Sequence, residues 1–536
     1  MRSPSHSTQN MYIDNLLLED RERVMTSQQK SPFLRALDRR RFIQVSAGSL
    51  AFAATGCRRQ KDQAYSRGST VIVAVPELPS YDNWLVFLPL VALNETGEWE
   101  GRLAERWEHS PDYREWTYYL RPGVRWHDGV PVTAHDVKFS LELLTHPDIL
   151  EISPGDIESI TVINDQTVRV RQRHTTKYAV DQVHYPKHLL GSLDPKHFYD
   201  WDFWNKPVGN GPYRCVRKVP QTMMEFEANP HHYLGRAKIE RVVLKFVGWG
   251  RTGFPDILAG NVDARTFVNF EWVPTLAADV RFHIYYWYGM TGGGAIYWQH
   301  RHPLFRDSRV RRALTLAIDR RELLQVLNLP KDAPLTDGPY TARQLRRGEL
   351  AEPLPHDLAQ ARELLEEAGW HYRNGAAVRE REGLTFRFTG LISSDPNFYP
   401  TAIHVQAQLR RLGVEMVLRM DEDVGGRIRR GEFQEAAFHH FPNSTLFTLI
   451  RNNSLGYRNA KVLDVVQHAL STADPNVEDR LYGELREIFR EDMPVTYLFP
   501  TTAFLLAHRR IRGLRSPYRA DLLRYMGELW LEDQNG

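Results

Sequence analysis

A chain of 536 residues exceeds what one ordinary core organises and implies about two to four domains. Its 42% hydrophobic and 11% aromatic content suits a large buried core, and no apolar run reaches the roughly 18 residues that would span a membrane as a helix. Residues 1–56 carry eight basic and five acidic side chains; the remaining 61 of each sign cancel, which excludes the basic surplus of a nucleic-acid binder.

The first predicted element is an address. "LDRRRFIQVSAGSLAFAATGC" passes from Arg39-Arg40-Arg41 through a weakly apolar stretch to small residues and a cysteine. A charged start, a short apolar middle and a small-residue exit make a secretory signal, too short for a stable membrane helix. Asp38 to Gln44 resembles the twin-arginine export signal, with Arg39, Arg40 and Phe42 at its marked positions. Ala54-Thr55-Gly56-Cys57 is similar to a lipobox, which implies that Cys57 becomes the lipidated first residue of the mature chain. Met25 is an alternative start, and residues 58–67 read as a flexible tether.

Strands and helices then interleave. "STVIVAVPE" is a short buried strand, and "EWTYYLRPGVRWHDGVPV" alternates before turning at Asp128-Gly129. "AHDVKFSLELL" has helical spacing, and "SITVINDQTVRVRQ" reads as a hairpin turning at Asn164-Asp165. "GPYRCVRKV" and "KIERVVLKFV" are strands, the first placing Cys215 as a small buried filler rather than a catalytic thiol. "SRVRRALTLAIDRRELLQVL" predicts one periodic helix, and "DLAQARELLEEAGW" another, closed by Gly369. "LTFRFTGL" and "VEMVLRM" flank the helix "TAIHVQAQLRRLG", and a late helix stops before Pro494. The class is α/β.

"RWHDGVPVTAHDV" raises the one question of chemistry, because His127-Asp128 and His135-Asp136 offer the residue types of a hydrolytic zinc site. The spacing favours structure. Asp128-Gly129 ends a strand in a turn, and Thr133 with Asp136 forms a capping box for the helix that follows. His135 then points outward, and no third ligand is spaced to join the two histidines. No Gly-x-Ser-x-Gly or His-Glu-x-x-His occurs either, which leaves a secreted hydrolase as a rival without a constellation. No metal or cofactor is expected.

"LAERWEHSPDYREWTYYLRPGVRWHDGVPVTAHDVKFSL" closely resembles the signature of the family 5 extracellular solute-binding proteins, the dipeptide- and oligopeptide-binding group of ABC importers. "PVGNGPYRCVR", "EANPHHYLGRAKIERVVLKFV", "ILAGNVDA", "PLFRDSRVRRALTLAIDR", "QARELLEEAGW" and "REIFREDMPVTYLF" continue the likeness in order over residues 70 to 530. The resemblance implies a two-lobe hinged fold like that of periplasmic binding proteins, a type II three-domain variant. Lobe I would comprise 68–95, 204–300 and 500–536, an inserted domain 96–203, and lobe II 301–499. It implies a monomer, no catalysis, and capture of a peptide-like or other small organic solute for an ABC permease and ATPase. The twin-arginine machinery would export it to the periplasm or cell surface, and a lipid anchor alone would hold it at the membrane.

Peptide binders of this family commonly carry an Asp in a "Trp-x-x-Asp-Tyr-x-x-Pro" stretch, where the carboxylate pairs with the ligand's amino terminus. Here the segment reads "AAFHHFPNSTLF", with Phe438, His440, Phe441 and Asn443 as candidates and no carboxylate in that place. A buried ammonium without a counter-charge is costly. The pair His439-His440 admits a nickel or other metal chelate as an alternative ligand, although adjacent residues of a strand face opposite ways. "HIYYWYGMTGGGAIYWQHRHP" adds Tyr286, Trp287 and Trp298 as expected cleft residues, and Trp84 follows from the loop after the first strand. Half the rings of that segment must face the core if it is a strand.

Overall fold

The computed structural model describes residues 68–532 apart from 79–83, 150–156, 174–181, 249–252, 374, 394–397, 473 and 518–520. The signal with Arg39, Arg40, Phe42 and Cys57, and the tether, lie outside the described residues.

The apolar run Thr70–Val75 forms β1, buried on both faces as a strand covered from two sides must be. A short hairpin follows, β2 (Val91–Leu93) and β3 (Trp99–Gly101). Next come β4 (Ala104–His109), β5 (Glu115–Leu120), β6 (Ile157–Asn164) and β7 (Thr167–Gln172), a separate antiparallel sheet in the order β4-β5-β7-β6. The expected hairpin lies between β6 and β7.

The chain then returns to the main sheet through β8 (Tyr213–Val219), β9 (Met223–Ala228), β10 (Arg241–Phe246), β11 (Ala264–Arg265) and the long β12 (Phe282–Trp298). Three short strands, β13 (His371–Tyr372), β14 (Arg379–Arg381) and β15 (Leu384–Thr385), pair among themselves. The last segments are β16 (Arg387–Ile392), β17 (Glu415–Met420), β18 (Ala436–Pro442), β19 (Val495–His508), and the pair β20 (Ile511–Arg512) and β21 (Trp530–Leu531).

The main sheet has ten strands in the order β17-β16-β18-β12-β19-β11-β1-β10-β9-β8. Among the described residues, β12 and β19 are the strands that belong to both halves of it. The first part of β12, Phe282 to Tyr288, pairs with Thr502 to His508, and β19 there borders β11. The second part, Gly292 to Trp298, pairs with β18. Between the two parts the β12–β19 register slips, at Tyr288/Gly293 and again at Gly294/Ala295. Such irregularities bend a strand pair locally. Glycine is required at the slip. A Cβ at Gly293 would stand 2.1 Å from the Phe499 carbonyl oxygen, and one at Gly294 2.3 Å from the Phe499 ring.

Alternation along β12 sorts its side chains. Ile284, Tyr286, Tyr288, Ile296 and Trp298 join one apolar cluster, which covers one face of both halves. Tyr285 and Trp287 pack on a second cluster, whereas Ala295 and Tyr297 belong to a third. On this second face the cores of the two halves are separate.

The helix expected over residues 308–327 is broken in two, Ser308–Leu316 and Arg320–Val326. Asp319 is the reason: its side chain accepts the Glu322 amide (3.0 Å) and so starts a new helix. Arg320, just inside it, is buried and pairs with buried Asp337 at 2.8 Å.

Candidate functional site

The two His-Asp pairs do not converge. His127 is held by backbone, its Nδ1 accepting the Gly209 amide (3.1 Å) and its Nε2 donating to the Gly211 carbonyl (3.1 Å). Burial keeps this ring neutral by pulling its pKa down to about 4. Asp128 turns to His188 (2.7 Å), and exposed His135 lies 3.8 Å from Asp165. Asp136 accepts the Thr133 amide (2.8 Å) and hydroxyl (3.1 Å), the reciprocal arm of the expected capping box, and the Lys187 amide (3.0 Å) besides. Among the described residues no group of three His, Cys, Asp or Glu is placed to hold a metal ion. Cys215, on β8, is buried in the core, and burial raises its thiol to about 11, so it stays protonated at neutral pH.

The expected cleft residues divide by face. Trp298 and Phe438 are wholly buried in the cluster shared by both halves. The Trp298 indole donates to Thr496 Oγ1 (3.0 Å) and packs on Phe305 and Phe388. These two are core residues, because the alternation that makes a strand legible does not say which face is covered. Tyr286 lies on that same face, against Phe504. His440 shares it by strand period and stacks on Phe398 at 6.2 Å. His439 points the other way, close beneath Gly425 and edge-on to Phe441 at 4.4 Å. The adjacent histidines therefore do not present one shared ligand face.

Trp287, Phe441 and Asn443 lie towards the second face. Trp287 is half-buried and meets Phe267 at 5.8 Å. Phe441 packs on Tyr297, with the Arg429 guanidinium 5.0 Å from its ring. Asn443 is buried, its amide donating to the Tyr340 carbonyl (2.8 Å) and its oxygen accepting from the Tyr497 hydroxyl (3.3 Å). Trp84 is elsewhere, in a surface recess with Arg102, His232, Tyr233, Arg524 and Glu528 that none of the other seven candidates lines. Arg524 sits 4.9 Å over its ring.

Around Asn443 the structure gathers polar groups that the sequence did not single out. Tyr497 is flanked by Tyr297, Tyr340 and Tyr482, and burial holds the Tyr497 and Tyr482 hydroxyls protonated. Arg486, on the Pro475–Asp492 helix, is 7% exposed, and neither its Nε nor its Nη1 has a hydrogen-bond partner among the described residues. Glu487 and Asp479 offset part of its charge, but buried N–H groups left without an acceptor are costly unless something arrives to accept from them. Asp479, Tyr482 and Arg486 share one side of that helix at i, i+3 and i+7, a pattern that reads from sequence as a solvated stripe. Glu98, in the β2–β3 turn, lies 3.4 Å from Arg343, which also lies 3.4 Å from Asp479. The hairpin thus reaches from the first half of the molecule to this polar cluster in the second.

A family model described as bacterial extracellular solute-binding proteins, family 5 middle, matches residues 98–448. A Brucella ovis protein, provisionally named for ABC transporter peptide binding, is 26% identical over 351 residues. That match covers 63% of this chain and 63% of the relative, under two thirds of its length. The oligopeptide-binding protein AppA of Bacillus subtilis is 24% identical over 461 residues, 77% of this chain and 79% of that one. Its structure with a nonapeptide superposes with a TM-score of 0.65 at 21% identity, over 87% of this chain and 99% of that one. NikA of Brucella suis, solved with Fe(III)-EDTA, gives a TM-score of 0.73 at 19% identity, over 86% of this chain and 100% of that one.

Proposed function

Because the chain belongs to the bacterial extracellular solute-binding proteins of family 5, we propose that it captures a peptide-like or other small organic solute by closing two lobes and releases it unchanged to an ABC permease and its ATPase. The observation that carries this reading is the strand pair β12–β19. Among the described residues this pair joins both halves of the main sheet, and it loses register midway, where a bend costs least. Lobe I would hold 68–95, 204–300 and 500–536, with 96–203 inserted and 301–499 as lobe II. The solute would lie on the second face, between Trp287 on one side and Asn443, Tyr497 and Arg486 on the other. The Arg486 nitrogens left without an acceptor suit a solute with a carboxylate or carbonyl oxygen, and the aromatic groups suit its apolar part. The lack of a carboxylate at 438–443 favours solutes without a free amino terminus there. Export through Arg39, Arg40 and Phe42, and a lipid on Cys57, would place the mature monomer at the outer side of a bacterial membrane.

Thermal melting in the presence of pooled short peptides, other organic acids and metal chelates tests the reading. A binding pool should raise the melting temperature with concentration, by about 2.7 kcal/mol of stability at roughly 100 times Kd. Trp287→Ala should then weaken binding at least about tenfold, or 1.4 kcal/mol, and His440→Ala should leave it unchanged. A shift from chelates alone, lost in His440→Ala, would replace the peptide-like ligand with a metal chelate. No shift from any pool, with hydrolysis of a generic ester or peptide, would make the protein a hydrolase.

A further inference from the structure

The β2–β3 turn is built as a rigid tip. Asn94 Oδ1 accepts the Thr96 amide (2.9 Å), the Thr96 hydroxyl (2.8 Å) and the Glu98 amide (3.0 Å), and Asn94 N donates to the Glu98 carbonyl (2.8 Å). Gly97 closes it at φ +81°, and a Cβ there would lie 3.0 Å from the Arg343 Cα, so the two backbones nearly touch.

The receiving surface is equally fixed. Helix Ala342–Arg347 carries a capping box, Thr341 with Gln344, and both residues also bond Asp479, Thr341 Oγ1 at 2.6 Å and Gln344 Nε2 to its carbonyl at 2.8 Å. Three arginines of this helix meet the tip. Arg343 lies between Glu98 and Asp479, Arg346 donates to the Asn94 carbonyl, and Arg347 pairs with Glu98. Arg343 also donates to Asn476 (2.8 Å), which completes its tie to the Pro475–Asp492 helix. The paired segments are about 250 residues apart; the hairpin packs on one apolar cluster, whereas Leu345 of the fork helix packs on the cluster shared by both halves.

We propose that the Asn94–Glu98 tip, where lobe I passes into the inserted domain, and the Arg343–Arg346–Arg347 fork of lobe II form an electrostatic latch across the two sides of the molecule, which sets how much of the solute-free protein is closed and thereby its affinity. Glu98, Arg343 and Arg347 are positioning residues: they act through the open–closed equilibrium without touching the solute. A closed fraction present before binding raises the apparent affinity in proportion. This rests on the closure reading above, but its readout needs no solute.

Small-angle X-ray scattering of the solute-free protein tests it. At about 0.1 M salt, where charges are felt over about 10 Å, the wild type should be compact. Glu98→Arg should shift the closed-to-open ratio about tenfold towards open and raise the radius of gyration, and Arg347→Glu should do the same. The double variant, with the charges exchanged, should return towards the wild-type radius. At about 1 M salt, where screening shortens to about 3 Å, the wild type should expand towards the single variants. Equal radii for the wild type and both single variants, each with an unchanged melting temperature, would overturn the latch. So would single variants that expand while the exchanged pair fails to recover. A protein that binds no solute yet shows this scattering pattern would retain the latch and lose the function proposed above.

Discussion

Acid should destabilise this protein steeply between pH 6.5 and about 4. His127 and His184 have pKa values pulled from 6.5 down to about 4, and His300 down to about 3, all chiefly by burial. Geometry agrees in each case. The Gly209 amide points at His127 Nδ1, which must stay unprotonated to accept it. His184 is wholly buried, and among the described residues its ring has one long contact (3.4 Å), from Nδ1 to the Leu88 carbonyl. His300 bonds the Pro494 carbonyl (3.0 Å) beside Arg311, whose charge opposes a second cation. In the unfolded chain these rings take up protons as the pH drops through 6.5, whereas the folded protein binds none until about 4. Stability is therefore full above 6.5 and falls below it, by about 1.4 kcal/mol per pH unit for each ring. With His232, which burial also lowers to about 4, four rings remove roughly 5 kcal/mol per unit near pH 5, a large part of the 5–15 kcal/mol that holds a typical domain. Denaturant midpoints measured across this range should drop accordingly, and His127→Gln should flatten the slope by about a quarter. A midpoint constant from pH 6.5 to 4.5 would contradict it.

Trp298→Ala should lose about 3–5 kcal/mol of stability and leave the solute affinity of the folded fraction unaltered. The ring is wholly buried among Phe305 and Phe388, so truncation opens a cavity in the core common to both halves. The loss also removes the donor to Thr496 Oγ1, which keeps its 2.6 Å contact with Thr315 and so is not orphaned. Urea denaturation reports the first effect and titration with the stabilising pool the second. A stable variant with weakened binding would move Trp298 to the cleft.

The fold was legible because it is written in short-range signals. The run Thr70–Val75, the capping residues Thr133 and Asp136, and the motifs of the family each report their own neighbourhood. The break at Asp319 is hidden for a reason of the same kind: apolar spacing continues through it, and its side-chain bond to Glu322 shows the break. The site was less legible because it depends on which face of β12 and β18 is covered. Period two separates Trp287 from Trp298 as it separates His439 from His440, yet the side that packs is decided by helices far along the chain. Arg486 and Tyr482 escaped notice because a charged or aromatic residue on an amphipathic helix most often faces water. The latch escaped because it joins segments about 250 residues apart, with no local pattern to announce it.

Amide hydrogen exchange, followed by mass spectrometry with and without the pool that raises the melting temperature, bears most directly on solute capture between the two halves. Bound solute should slow exchange in residues 287–298 of β12, residues 495–500 of β19, residues 479–486 and the hairpin tip 94–98 together. Slowing confined to the recess around Trp84 and Arg524, or none at all beside a real thermal shift, would mean that the solute is not held there.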